Sequence, residues 1–140
     1  MAGIVELNEL LQSMKPVMQN GEYVFCTVEG NCADYLHLNP LGYFAESEGL
    51  TMILSVEAAE KARLPYAGTF KQITLTVHSS LDAVGLTAAV ATKLASSGIS
   101  ANVVAAYYHD HIFVHSERAN EALLKLQEFS SAVYNKNSAV

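Results

Sequence analysis

Apolar residues recur along the chain with two spacings, and the switches between them mark out its elements. Leu7, Leu10, Leu11 and Met14 stand at i, i+3, i+4 and i+7, which is one face of a helix, and Lys15-Pro16 ends it. This predicts an amphipathic opening helix that lies over a sheet. Residues 23–28 (YVFCTV) are aromatic and β-branched between Asn20-Gly21 and Gly30-Asn31, which predicts a strand. An irregular connection through Asn39-Pro40-Leu41-Gly42 leads to YFAES and LTMIL, which flank Glu48-Gly49 and read as a hairpin. Ser55 is placed to cap a helix with Glu57 in its first turn, ending before Leu64-Pro65.

In FKQITLTVH, Ile73, Leu75 and Val77 alternate with Thr74, Thr76 and His78, the period of a strand with one buried face. Ser79 and Ser80 offer caps, and Asp82 complements the positive end of a helix running to about Ser97 and closed by Gly98. Leu86, Val90 and Leu94 form its core stripe, beside the small residues Ala83, Ala88, Ala91 and Ala95, which would let another element approach closely. A strand (ANVVAAYY), a turn at His109-Asp110, a strand (HIFVH) and a helix carrying Ala122, Leu126, Phe129 and Val133 follow. The order β-α-β-β-α over residues 70–133 predicts an α+β fold of the ferredoxin-like βαββαβ kind, with an antiparallel sheet and helices on one face, once one more strand closes it.

The halves echo each other. At an offset of 60 residues Ala45, Ile53, Glu57, Ala59 and Ala62 align with Ala105, Phe113, Glu117, Ala119 and Ala122, so each half ends in a hairpin followed by a helix. The first half has a loop where the second has its long helix. The organisation read from this is a helix and degenerate half over 1–66, a better-formed domain over 67–134 and a flexible tail over 135–140.

Composition narrows the partners. The 140 residues include 8 basic and 14 acidic side chains, for a net charge of −6, and no Lys/Arg run exists to follow a phosphate backbone, so nucleic acid is not an expected partner. Hydrophobic residues make up 51% and charged residues 16%, an apolar excess that implies a homo-oligomer, a dimer first. Cys26 and Cys32 form no CxxC pair, and the first residues carry acids where a signal peptide would carry bases. No apolar run reaches the roughly 18 residues of a membrane span. The expectation is a cytoplasmic protein with reduced thiols and no membrane partner.

The segment GLTAAVATKLASSGISANVVAAYYHDHIFV resembles the ACT family, in particular the tandem, degenerate modules of amino-acid sensors and aspartate kinase regulatory ends. The whole chain is similar to small bacterial ACT-like proteins of unassigned function. The resemblance spans roughly residues 20 to 130 and is most specific at His78 to Leu86, Gly98-Ile99 and Tyr107 to Val114. It implies two ACT-like modules and a regulatory role, binding a small molecule of the amino-acid class, without catalysis and without a cofactor. The ligand positions it implies are His78, Ser79, Ser80, Val84, Gly85, Leu86, Asn102, Val103, Tyr108 and Asp110. Tyr108 and His109 replace the small polar residues more usual beside the aspartate, which leaves the ligand's identity open.

The residue types fit that chemistry, and each has a plainer role. The turn before Leu86 brings unpaired backbone N–H groups to a helix N-terminus, suited to a carboxylate, while Gly85 lets a ligand come close; Ser79, Ser80 and Asp82 also serve as simple caps. Asp110 could accept an ammonium group, or be a turn residue. A charge-assisted hydrogen bond of about 1.5 to 3 kcal/mol plus a helix terminus, less the cost of association, gives micromolar to millimolar affinity. His109, His111 and His115, with His78 added, form a rival metal-binding reading; a closed zinc site wants four ligands from more than one element, and surface or interface histidines are the plain alternative. Cys26 reads as a small core hydrophobe. Of Tyr107 and Tyr108, one packs and the other lines an interface or pocket if their strand is regular. A structural or protein-interaction module with no ligand is the remaining alternative.

Overall fold

The computed structural model describes residues 2–76 and 85–138. The chain divides into two compact units, one of residues 20–71 and one of residues 1–19 with 72–140, and the division falls inside a single strand.

The unit of residues 20–71 carries β2 (Tyr23–Val28), β3 (Gly42–Ala45), β4 (Leu50–Ser55) and α2 (Val56–Lys61). Strand β2 pairs antiparallel with β4, β4 with β3, and Tyr23 meets Phe70, the first residue of β5 (Phe70–Thr76). The order β3-β4-β2-β5 is that of a ferredoxin-like sheet. A 3-10 helix, Cys32–Leu38, stands where a loop was expected and replaces the first crossover helix of that fold. Ser55 caps α2 as its sequence predicts, its hydroxyl accepting from the Ala58 N–H at 3.1 Å. Val24, Cys26, Met52, Leu54 and Ala59 form the core, so Cys26 is the buried small hydrophobe expected, and burial pushes its thiol pKa up.

The other unit contains α1 (Ala2–Ser13), β1 (Lys15–Met18), the rest of β5, α3 (Leu86–Ala95), β6 (Asn102–Ala105), β7 (Asp110–His115) and α4 (Ala119–Ser138). Its strand order, β6-β7-β5 with β1 on the far side of β5, repeats the ferredoxin-like order. The closing strand comes from the N-terminus: Lys15 to Met18 run antiparallel to Thr76 to Ile73. Pro16 is tolerated there because an edge strand need not donate every N–H. Leu7, Leu10 and Leu11 of α1 pack on the same core as Leu86, Val90 and Leu94 of α3 and Ala122 and Leu126 of α4. Helix α1 therefore lies among the helices, against α3 and α4. Gly98, at φ +73°, ends α3 and turns Ile99 back so that its N–H reaches the Leu94 carbonyl at 3.0 Å.

Three expectations change. Strand β5 is buried on both faces, since Gln72 and Thr74 are covered as well as Ile73 and Leu75. The second hairpin turns at Ala106 to His109, with the Ala106 N–H donating to the His109 carbonyl at 3.1 Å, and Asp110 opens β7 instead of turning. Among the described residues of the alanine row, Ala88 and Ala95 are exposed, so no element sits on them. The repeat holds to the residue: Gly42↔Ile53 through Ala45↔Leu50 recur as Asn102↔Phe113 through Ala105↔Asp110, each shifted by 60.

Leu94 is fully buried and Leu124 exposed. Leu94→Ala is expected to cost about 2–5 kcal/mol of unfolding free energy, and Leu124→Ala no more than about 0.5 kcal/mol. Urea unfolding followed by circular dichroism checks both.

Candidate functional site

The positions singled out in the sequence fall in the unit built around α3 and the β6–β7 hairpin. His78, Ser79, Ser80 and Val84 lie outside the described residues. Gly85 is the N-cap of α3 at φ +96°, and among the described residues no side chain caps the helix there. The first amides of α3 are the donors that a helix leaves unpaired. A Cβ at Gly85 would stand 3.0 Å from Leu7 Cδ2, so α1 lies directly against this turn. The Leu86 side chain belongs to the hydrophobic core, which leaves only its backbone for a ligand.

The hairpin supplies the rest. Asp110 opens β7 half-buried and pairs with Ala105. Asn102 opens β6, and its side-chain N–H donates to the Phe113 carbonyl at 3.1 Å, so it fastens the hairpin. Val103 is half-buried against the core. Tyr107 and Tyr108 both sit in the turn, 77% and 73% exposed, with rings edge to face at 5.0 Å. They touch each other and neither is buried in the core, because the turn takes them out of the strand alternation that assigned them opposite faces.

His111 is the centre of a polar cluster that the sequence pattern does not announce. Its Nδ1 lies 2.9 Å from Thr74 Oγ1 and 3.0 Å from Gln72 Nε2, and Gln19 Nε2 donates to Thr74 Oγ1 at 2.9 Å. Burial lowers the His111 pKa from its ordinary 6.5, the neighbouring His109 adds to this, and Asp110 opposes it. The His109 and His111 rings are 6.5 Å apart at 86°, while His115 is exposed at the end of β7. Among the described residues no three His, Cys, Asp or Glu side chains converge to hold a metal ion, so the histidine run is not assembled into such a site.

A cleft of about 390 Å³ lies at the β3–β4 hairpin, lined by Glu29, Gly30, Glu46, Glu48 and Gly49 among others. Ser47 donates to Glu48 at 2.8 Å and holds its carboxyl below the usual range. The acid-rich stretch AESEG was its signal in the sequence, passed over there as a hairpin turn. Its carboxylates would repel an anion, which sets it apart from the uncapped N-terminus of α3.

A sheet of this order built twice in one chain, with the same hairpin register in each copy, defines a tandem ferredoxin-like module. The chain belongs to the ACT-domain family, matched over residues 2–71 and again over residues 69–128. No curated protein matches the sequence. Among solved structures it is similar to a Vibrio cholerae protein of unknown function, described as a possible transport protein, at 58% identity and a TM-score of 0.86, covering 91% of this chain and 98% of that one. An Agrobacterium tumefaciens protein shares the fold at 18% identity and a TM-score of 0.68, covering 84% and 89% of the two chains. The ligand-free regulatory subunit of a Thermus thermophilus aspartate kinase does so at 9% identity and a TM-score of 0.59, covering 81% and 94%. Among the described residues no helix is long and apolar enough to cross a membrane.

Gly85→Ala is expected to cost about 1–2 kcal/mol of unfolding free energy for its left-handed backbone, and more for the collision with Leu7. Adding Leu7→Ala to that variant should recover the collision alone. Denaturant titration of the two variants separates the contributions.

Proposed function

We propose that this protein is a cytoplasmic regulatory protein that binds an amino acid or a similar small carboxylate, without catalysing a reaction on it. The observation that carries this reading is the N-terminus of α3 at Gly85, at φ +96° and with no cap among the described side chains, in a chain composed of two ACT modules. The free amides of that turn would receive the carboxylate, with His78, Ser79, Ser80 and Val84 of the preceding segment contributing as the sequence implies. Asp110 would take the ammonium group, and Asn102, Val103 and Tyr108 would border the ligand. The two charged ends of an amino acid call for this pairing of a helix N-terminus with an acid.

The protein is read here as a homodimer. Tyr43 and Phe44 on β3, Tyr107 and Tyr108 in the hairpin turn, and Ala88 and Ala95 on α3 are the exposed apolar positions that a second copy would cover. Regulation would then act through self-association or a separate partner, by no more than the ligand's differential affinity for the two states. One contact favours a second reading, an interaction module with a closed pocket: Leu7 already lies against Gly85.

Thermal unfolding against each of the twenty amino acids tests the proposal. A ligand at a hundred times its Kd adds about 2.7 kcal/mol, so one or a few amino acids should raise the Tm, and Asp110→Ala should abolish the rise while leaving the unliganded Tm near that of the parent. A flat screen favours the closed interaction module.

A further inference from the structure

Gln19, the residue after β1, joins the β1 edge to the polar cluster around His111. Its backbone N–H donates to the Gln72 carbonyl at 2.8 Å and its side chain to Thr74 Oγ1 at 2.9 Å. Thr74 and Gln72 are 3% and 7% exposed, and both reach the same ring nitrogen of His111. The Gln72 amide nitrogen can only donate, so Nδ1 is an acceptor and the ring proton sits on Nε2. The Thr74 hydroxyl, whose oxygen accepts from Gln19, then turns its own hydrogen toward Nδ1. A directional relay results, from Gln19 through Thr74 to His111, with Gln72 closing it.

We propose that His111 is the proton-sensitive member of a latch that fastens the N-terminal strand to the sheet of its own unit. With the imidazole neutral, one acceptor orients two buried donors, and Gln19 is held by the second of the residues so oriented. A proton on Nδ1 turns that acceptor into a donor: it faces the Gln72 amide N–H donor to donor, and toward Thr74 it makes the hydroxyl turn its own hydrogen away and offer its oxygen to the new N–H in competition with Gln19. Gln72 and Thr74 are nearly closed to water, so the Gln72 N–H and the displaced Thr74 hydrogen lack acceptors without local opening. Release of Gln19 frees β1 from Thr76 to Ile73, and with it Met14 and the apolar face of α1. Acidification would thereby expose the edge of β5 and a hydrophobic helix.

Among the described residues the charged and titratable neighbours are few. On the turn and β7, His109, Asp110 and His115 share the hairpin with His111. Lys15 of β1 pairs with Thr76 on the same sheet face as Thr74. Strand β6 offers Asn102 and Val104, and β5 offers Gln72, Thr74 and Thr76, none of which titrates. Burial already disfavours the charged ring, the direction a latch closed at neutral pH needs. Since the folded pKa lies below the unfolded value, the network's contribution is complete above about 6.5 and declines as the pH falls through that value toward the folded pKa.

Amide hydrogen exchange of the intact, ligand-free chain tests the latch independently of any amino-acid binding. The reporter is the Gln19 amide, corrected for its intrinsic exchange rate, at about pH 7.5 and about pH 5.5, either side of the ordinary imidazole pKa. Its protection should fall severalfold on acidification, up to about tenfold, the most that one imidazole of ordinary pKa about 6.5 can contribute at about pH 5.5. In His111→Gln the protection should no longer depend on pH, and in Thr74→Val it should be low at both values; His115→Gln should behave as the parent. Protection that is the same at both pH values in the parent overturns the proposal, as does a pH response that survives in His111→Gln or full parental protection in Thr74→Val. Should His111→Gln fail to fold, the parent and Thr74→Val decide the matter alone.

Discussion

The pairing of Lys15 to Met18 with Thr76 to Ile73 is the constraint on which the α3–β7 unit depends. A β-α-β-β-α run leaves one edge of its first strand open, and an isolated edge with buried neighbours is unstable until another strand covers it. The chain supplies that strand from its beginning, at the entropic cost of closing a long loop. What offsets the cost is apolar: Met14 is buried just past α1, and the leucines of α1 lie on the core that α3 and α4 share. The polar cluster of Gln19, Gln72, Thr74 and His111 sits at the other end of the same pairing, where directional bonds fix position and register.

The internal repeat shows how one backbone carries two chemistries. The β3–β4 and β6–β7 hairpins agree in register to the residue, down to the turn hydrogen bond from Glu46 to Gly49 and from Ala106 to His109. Side chains at matching positions diverge. Leu50 corresponds to Asp110, Thr51 to His111, and Glu46 to Ala106. The first hairpin thus carries carboxylates around a cleft, and the second carries an aspartate and histidines. Buried positions tolerate less change: Met52 and Ile112, Leu54 and Val114, and Ala59 and Ala119 remain apolar in both copies. Packing against the helices restricts those, whereas the hairpin ends are free to acquire function.

Much of this was legible before any coordinates. The stripe of Leu86, Val90 and Leu94, the leucines of α1 and the Ser55 cap follow from helical spacing and from which side chains can satisfy free amides. The second turn was misplaced at His109-Asp110 because both residues are polar and common in turns. The repeat held the better answer, since Glu48-Gly49 shifted by 60 is Tyr108-His109. Tyrosine is a poor turn signal, and its exposure here is enforced by the need of Ile112 and Val114 to face the core.

By itself the sequence determined the fold class, the duplication and the core stripes, because these rest on local period and propensity. Tertiary structure alone decided that the closing strand is Lys15–Met18, that α1 reaches Gly85 through Leu7, and that Gln19, Gln72, Thr74 and His111 meet. Each joins residues far apart in the chain, and which edge a short strand covers is set by the loop it must close and the surface it buries. A four-residue segment carries no periodicity long enough to announce that choice.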